Sequence, residues 1–194
     1  MDEQELMALV QAGDEAAFAR LMTLYKDRIV NYLYQFVHDY QKAVDLSQET
    51  FLRVYFKAGK YRPIAPVSSW IYAIASNLAR TELKKTKRTA AVSFEDVPND
   101  YAAGAFAEDP PDTGLVRNLR EALDALHPRY RVPVVLKDLE GFSQEEIARI
   151  IDRPVGTVKA RISRGRDYLK RRLEKALAAE PAPPSKEARN HGRA

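Results

Sequence analysis

The chain has 194 residues, a net charge of +4 and a pI of about 9.2, and it contains no cysteine. This length suits one large or two small domains, and the mild basic excess suits a polyanionic partner. The composition excludes disulfides, thiolate zinc sites and cysteine nucleophiles, and His38, His127 and His191 lie too far apart for a metal-ligand motif. Because no apolar run is long enough for a membrane span and MDEQEL does not resemble a signal peptide, we expect a cytoplasmic protein with no membrane insertion, metal or cofactor.

Helical spacing dominates the first half of the chain. The apolar residues predict four helices, over residues 3–11, 14–36, 45–59 and 70–88. Gly13 ends the first helix, Asp14 caps the second, and Ser68 or Ser69 caps the fourth. The low glycine count and the scarcity of alternating apolar runs favour an all-α chain.

An acidic segment divides the sequence in two. Residues 89–113 contain six acidic residues, three prolines and no basic residue, which predicts an extended linker. Helices are predicted on its far side over 114–126 and 132–138, with Pro133 in the first turn of the second. We therefore predict domains at 1–92 and 114–177, a linker at 93–113, and a disordered tail at 178–194.

The segment from Ser143 to Leu173 predicts a helix-turn-helix. Ser143 and Glu146 form a capping-box pattern, and Pro154 interrupts the helix that follows. The next helix carries one narrow apolar stripe, formed by Val158, Ile162, Gly165, Leu169 and Leu173. Its other surface is basic, with small side chains between the charges, which favours a helix that reads DNA. The alternative is an ordinary amphipathic hairpin with a solvated charged face.

Two surfaces of the N-terminal half also invite a functional interpretation. The third predicted helix has a polar rim around apolar residues, which indicates protein docking, although a solvated face is the alternative. Asp45 and Glu49 lack a third ligand nearby, so metal binding is not favoured there. Aromatic, amide and cationic residues surround the loop and helix from Tyr61 to Arg88, a composition typical of single-stranded nucleic-acid sites, although cations at a helix C-terminus also complement its dipole.

Two separate stretches of the chain resemble one protein family. DLSQETFLRVY with YRPIAPVSSWIYAIASNLARTELKKTKR resembles region 2 of bacterial sigma factors, and GFSQEEIARIIDRPVGTVKARISRGRDYLKRRL resembles their region 4. The order, gap and small size point to the extracytoplasmic-function group of the sigma-70 family. The resemblance implies an all-α fold of two small helical domains joined by an acidic linker.

The resemblance also implies a role for particular residues. It implies binding to core RNA polymerase through Asp45, Gln48, Glu49, Leu52 and Arg53. It implies capture of the −10 promoter element through Tyr61, Arg62, Asn77, Arg80 and Lys84. It implies recognition of duplex −35 DNA through Lys159, Ala160, Arg161, Ser163 and Arg164. Ala160 and Ser163 depart from side chains that some members carry, which leaves the base preference open.

The same resemblance implies partners rather than catalysis. It implies a factor that is monomeric when free, that directs promoter-specific initiation, and that is masked by an anti-sigma factor. The alternatives are a conventional transcription regulator that binds duplex DNA alone, an enzyme, and a helical adaptor. The basic, aromatic region around residues 61–88 disfavours the regulator, the lack of a nucleophile–base pair or phosphate loop disfavours the enzyme, and the paired basic surfaces disfavour the adaptor.

Overall fold

The computed structural model describes residues 2–92 and 114–179, with the backbone alone for 86–92 and 179. Its α-helices are α1 (Glu3–Gln11), α2 (Glu15–Val37), α3 (Tyr40–Lys57), α4 (Val67–Val92), α5 (Gly114–Ala125), α6 (Pro128–Asp138), α7 (Gln144–Ile151) and α8 (Val155–Ala179). A short 3-10 turn, Ala58–Lys60, follows α3. No strand occurs within these ranges, and the all-α prediction is confirmed. The predicted linker at 93–113 and most of the predicted tail lie outside the described residues.

In the N-terminal half, the predicted start of α2 is confirmed, whereas the predicted starts of α3 and α4 are wrong. Asp14 caps α2 by accepting from the backbone N–H of Ala17, as predicted. The α3 helix begins at Tyr40 rather than Asp45, because the Asp39 side chain accepts from the N–H of Lys42 and supplies an earlier cap. The α4 helix begins at Val67, so the two serines proposed as its cap lie inside its first turn.

The start of α6 also differs from the prediction. The helix begins at Pro128, not at Val132, because the His127 side chain accepts from the N–H of Arg129 and Pro128 occupies the first turn. Pro133 therefore lies inside the helix, past the first turn.

The C-terminal helix-turn-helix forms as the sequence predicts. Ser143 and Glu146 make the reciprocal capping box of α7, and α7 ends at Ile151, where Asp152 caps it with a left-handed φ of 52°. The α8 helix packs closely on α6 at Gly165, where an added Cβ would lie 2.6 Å from Cγ2 of Val134. Glycine at this position allows the two helices to approach.

The helices before and after the acidic segment pack against each other. We call α1–α4 the N-terminal unit and α5–α8 the C-terminal unit. The α4 helix packs on α6 and α7, and the apolar core continues from one unit into the other. Tyr72 of α4 donates from its hydroxyl to Oε2 of Glu140 at 2.5 Å, and its ring lies 4.8 Å from that of Phe142. Burial raises the pKa of Glu140, despite the opposing hydrogen bond from Tyr72.

A second contact between the units is centred on Arg131, which is 3% exposed. Its Nη2 donates to the backbone oxygen of Gln35 and, at 2.7 Å, to Oδ1 of Asp124. Nε2 of His38 lies 2.6 Å from the same carboxylate oxygen. Burial opposes ionisation of Asp124, but His38 and Arg131 outweigh it and hold the pKa of Asp124 below its ordinary value. His38, directly after α2, thus shares one polar cluster with Asp124 of α5 and Arg131 of α6.

Candidate nucleic-acid and polymerase interfaces

The exposed face of α8 carries the residues predicted to read DNA. Val158 and Ile162 are buried against the neighbouring helices, whereas Lys159, Ala160, Ser163 and Arg164 are exposed. Arg161, the remaining member of the predicted set, is partly buried. The apolar stripe thus fixes the rotation of the helix about its axis and leaves a small, basic face toward solvent.

A shallow groove of about 410 Å³ lies at the start of this face. It is lined by Arg129, Tyr130, Gly156, Thr157, Ala160, Arg161 and Arg164. The small side chains of Gly156, Thr157 and Ala160 allow a ligand to approach the helix backbone closely. The arginines supply guanidinium groups that suit guanine edges or phosphates. Arg129 and Tyr130, which come from α6, were not foreseen, because their place in the sequence gives no sign that they approach α8.

Tyr61 occupies a different environment from the one predicted. Its side chain is 4% exposed, its hydroxyl donates to the backbone oxygen of Ala65 at 2.8 Å, and its ring lies 5.5 Å from that of Trp70. Arg62 is exposed and donates to the backbone oxygens of Gly59 and Tyr61. In this structure Tyr61 holds the loop together, so direct contact of Tyr61 with a base stays a prediction that requires the loop to move.

The other residues predicted for the −10 element lie along α4. Asn77, Arg80 and Lys84 follow at spacings of three and four, which places them on one side of the helix. Asn77 and Lys84 are exposed, and Arg80 donates to Oδ1 of Asn77. An amide with two cations along about 10 Å of helix suits a base edge and the backbone of an unpaired strand.

The predicted polymerase-docking residues form a continuous surface on α3. Asp45, Gln48 and Leu52 are exposed, and Nε of Arg53 donates to Oε1 of Glu49 at 2.7 Å. Phe56, which was not predicted to belong to this surface, is 79% exposed beside Leu52 at 54%. The spacing of four between them was the available signal, since it puts both side chains on the same face.

Arg80 and Lys84 also border a cavity between the two units. We call this cavity of about 290 Å³ the interunit cleft. It brings together five cationic side chains, those of Arg80, Lys84, Arg129, Arg153 and Arg161. Burial, and then the positive charges of neighbouring guanidinium groups, lower the pKa of Arg161. Two residues predicted for the −10 element and one predicted for the −35 element thus face the same space.

The described residues contain neither a metal-binding cluster nor a membrane-spanning helix. Within residues 2–92 and 114–179 there is no cluster of three or more histidine, aspartate or glutamate side chains placed to hold a metal ion. In the same ranges no helix has the length and apolarity needed to cross a membrane.

Comparison with known proteins places this geometry in one family. Residues 21–89 match sigma-70 region 2, and residues 117–169 match sigma-70 region 4. The chain is 33% identical over 184 residues to the RNA polymerase sigma-H factor of Pseudomonas aeruginosa, covering 90% of this chain and 95% of that protein. It is 32% identical over 173 residues to the extracytoplasmic-function sigma factor SigW of Bacillus subtilis, covering 84% and 92%.

Solved structures share the fold. CnrH, in complex with the cytosolic domain of CnrY, superposes with a TM-score of 0.68 at 23% identity, over 89% of this chain and 97% of that one. The sigma factor RpoE of Bartonella quintana, in complex with the anti-sigma factor NepR, gives 0.64 at 23% identity, over 84% and 98%.

The matches to both sigma-70 regions, in this order along an all-α chain, define a transcription initiation factor. The chain belongs to the sigma-70 family, in its extracytoplasmic-function group. It is a sigma factor for promoter-specific transcription initiation by RNA polymerase, and its relatives are regulatory initiation factors rather than catalysts.

Proposed function

We propose that this sigma factor reads the −35 element with α8 and captures the −10 element with the loop and face around α4. The observation that carries the first part is the exposure of Lys159, Ala160, Ser163 and Arg164 on one face of a helix whose opposite face is buried. A helix presented in this way fits the major groove, where arginine distinguishes guanine from other bases.

Capture of the −10 element is supported by the face of α4. Unpairing and unstacking a base costs a few kcal/mol, and a site that binds only the extruded base and its backbone offsets that cost. Asn77 offers an amide for the base edge, while Arg80 and Lys84 offer charge for the phosphates. In this proposal Tyr61 and Arg62 keep the neighbouring loop in shape, and Tyr61 contacts a base once the loop opens.

Docking on core RNA polymerase is assigned to α3. Leu52 supplies an exposed apolar centre, and Asp45, Gln48, Glu49 and Arg53 surround it with polar groups. An apolar centre with a polar rim is the usual anatomy of a protein interface. We add Phe56 to this surface, because it extends the apolar centre by one turn of the helix.

The packed arrangement of the two units is incompatible with simultaneous binding of both promoter elements. The −35 and −10 elements are centred about 25 base pairs apart, which is about 85 Å of B-form DNA at about 3.4 Å per base pair. Arg80 and Arg161 instead border one cleft of about 290 Å³. We infer that the units separate on the polymerase and that an anti-sigma factor masks this chain, as the structural relatives bound to CnrY and NepR suggest.

The test of DNA recognition compares two arginines of α8. Arg164→Ala should weaken binding to a duplex −35 element by about 1–3 kcal/mol, the range for one good base contact. Arg172→Ala, a matched change on the exposed surface two turns further along α8, should leave −35 specificity unchanged. Equal losses on −35 and scrambled duplexes would show that Arg164 contacts phosphate alone.

Transcription in vitro tests the function as a whole. The purified chain, added to core polymerase lacking any other sigma factor, should select start sites on a promoter library, and sequence alignment of those sites should reveal both elements. Absence of start-site selection would contradict the proposal.

A further inference from the structure

The interunit cleft has features that promoter recognition does not require. Arg80 and Lys84 come from α4, Arg129 from the start of α6, Arg153 from the turn after α7, and Arg161 from α8. Among residues 2–92 and 114–179, no carboxylate belongs to its lining. Neither Arg129 nor Arg153 belongs to the residues assigned to a promoter element by the sequence. Five cations from four segments therefore converge only because the two units are packed together.

This convergence costs electrostatic free energy where the cations are partly buried, at Arg80 and Arg161. Like charges that share a cavity repel each other, and the lowered pKa of Arg161 reflects burial and that repulsion. The floor of the cleft is apolar, with Leu83, Val132 and Ile151 among its lining residues. Low polarizability behind the cations strengthens both their mutual repulsion and their attraction for an anion. A multiply charged anion would convert a destabilising feature into a stabilising one.

The size and shape of the cleft limit the anion. Small-molecule pockets usually span about 300–1,000 Å³, so a cavity of about 290 Å³ lies at the small end of this range and suits a short chain of phosphates. Guanidinium groups bind phosphate oxygens through paired hydrogen bonds, and four of the five cations are arginines. The first turn of α6 also borders the cleft, and the positive end of its dipole adds to the field.

We propose that the interunit cleft is a binding site for a di- or triphosphate group, either free or carried by a nucleotide whose base stays outside. Binding joins the two units, because the ligand contacts Arg80 and Lys84 from one and Arg129, Arg153 and Arg161 from the other. Bound anion thereby favours the packed arrangement over the separated one. The bound anion also competes with promoter DNA for Arg80, Lys84 and Arg161. This competition rests on the proposed function, which assigns these three residues to DNA.

Isothermal titration of the full chain tests the site. Tripolyphosphate should bind with a stoichiometry of one at constant ionic strength, and more tightly than inorganic phosphate. Arg153→Gln and Arg129→Gln should each weaken binding about tenfold or more, the scale of one charged hydrogen bond. Arg149→Gln, a matched change on the exposed surface of α7 outside the cleft, should alter it less than about twofold.

The source of the phosphates is distinguished by a second ligand. ATP that binds with the same affinity as tripolyphosphate shows that the site reads phosphates alone, and tighter binding of ATP shows that a nucleoside adds contacts at the rim. No detectable binding of tripolyphosphate, or an equal loss in Arg149→Gln, would overturn the site. Binding that leaves the affinity for a −35 duplex unchanged would overturn the competition with DNA while the site stands.

Discussion

The hydrogen bond between Tyr72 and Glu140 offers a direct way to test what holds the two units together. Tyr72→Phe removes the hydroxyl that donates to Oε2 of Glu140 at 2.5 Å and leaves the aromatic contact with Phe142 in place. The carboxyl group then lacks this donor in a largely buried setting. Loss of one partner of a buried hydrogen bond costs about 1–3 kcal/mol. The variant should therefore shift the equilibrium toward separated units by about 5- to 150-fold.

A distance measurement between the units reads this shift. Because the chain has no cysteine, Lys57→Cys and Arg172→Cys provide two unique, exposed labelling sites, one in each unit. Energy transfer between dyes should fall in Tyr72→Phe. The matched control is Tyr32→Phe, whose hydroxyl lies 2.7 Å from Oγ of Ser76 inside the N-terminal unit. If both variants lose stability and neither changes the distance, the bond to Glu140 contributes nothing to the contact between the units, and the prediction is wrong.

Three further predictions follow from packing, ionisation and exposure. Gly165→Ala should lower the free energy of unfolding measured in urea, because the new Cβ would lie 2.6 Å from Cγ2 of Val134. Such overpacking costs about 1–3 kcal/mol, against a gain in helix propensity of about 1 kcal/mol. Gly156→Ala is the control, because no atom lies within 4 Å of its new Cβ, and it should not destabilise the chain. Burial raises the pKa of Glu140 in the folded chain. The contribution of Glu140 to the free energy of unfolding is therefore fully present below the ordinary glutamate pKa and is lost as pH rises through the raised value. Unfolding curves of Glu140→Gln should thus show less loss of stability than the wild type across that window, and parallel curves would contradict this assignment. Phe56→Ser should weaken binding to core polymerase by about 1.5–3 kcal/mol in a pull-down titration, the transfer free energy of one large apolar side chain. Leu24→Ser removes another exposed apolar side chain, on α2 and outside the proposed docking surface, and should leave binding unchanged.

The sequence by itself determined the helical class, the helix-turn-helix and the rotation of α8. Each depends on interactions between residues a few positions apart. The capping box at Ser143 and Glu146, the break at Pro154 and the apolar stripe from Val158 are local patterns, and the structure has all three. The start of α3 was misread because Asp39 is also a local cap but lies before the apolar run that drew attention to Asp45.

Only the tertiary structure decided which side chains face solvent where helices meet. Tyr61 is an aromatic residue in a basic loop, and its burial depends on Trp70 and on the backbone of Ala65. Phe56 looks like a core residue, yet no described helix covers it. A pattern with a period of 3.6 residues gives the apolar face of a helix but not the identity of its neighbour.

The contact between the two units also came from the tertiary structure alone. Arg131 and Gln35 are 96 positions apart, and Tyr72 and Glu140 are 68 apart. No local signal relates such residues, because their interaction depends on how whole helices pack. The sequence thus determined two helical units of the sigma-70 type, whereas the fold decided that they lie together and that cations from both converge on one cleft.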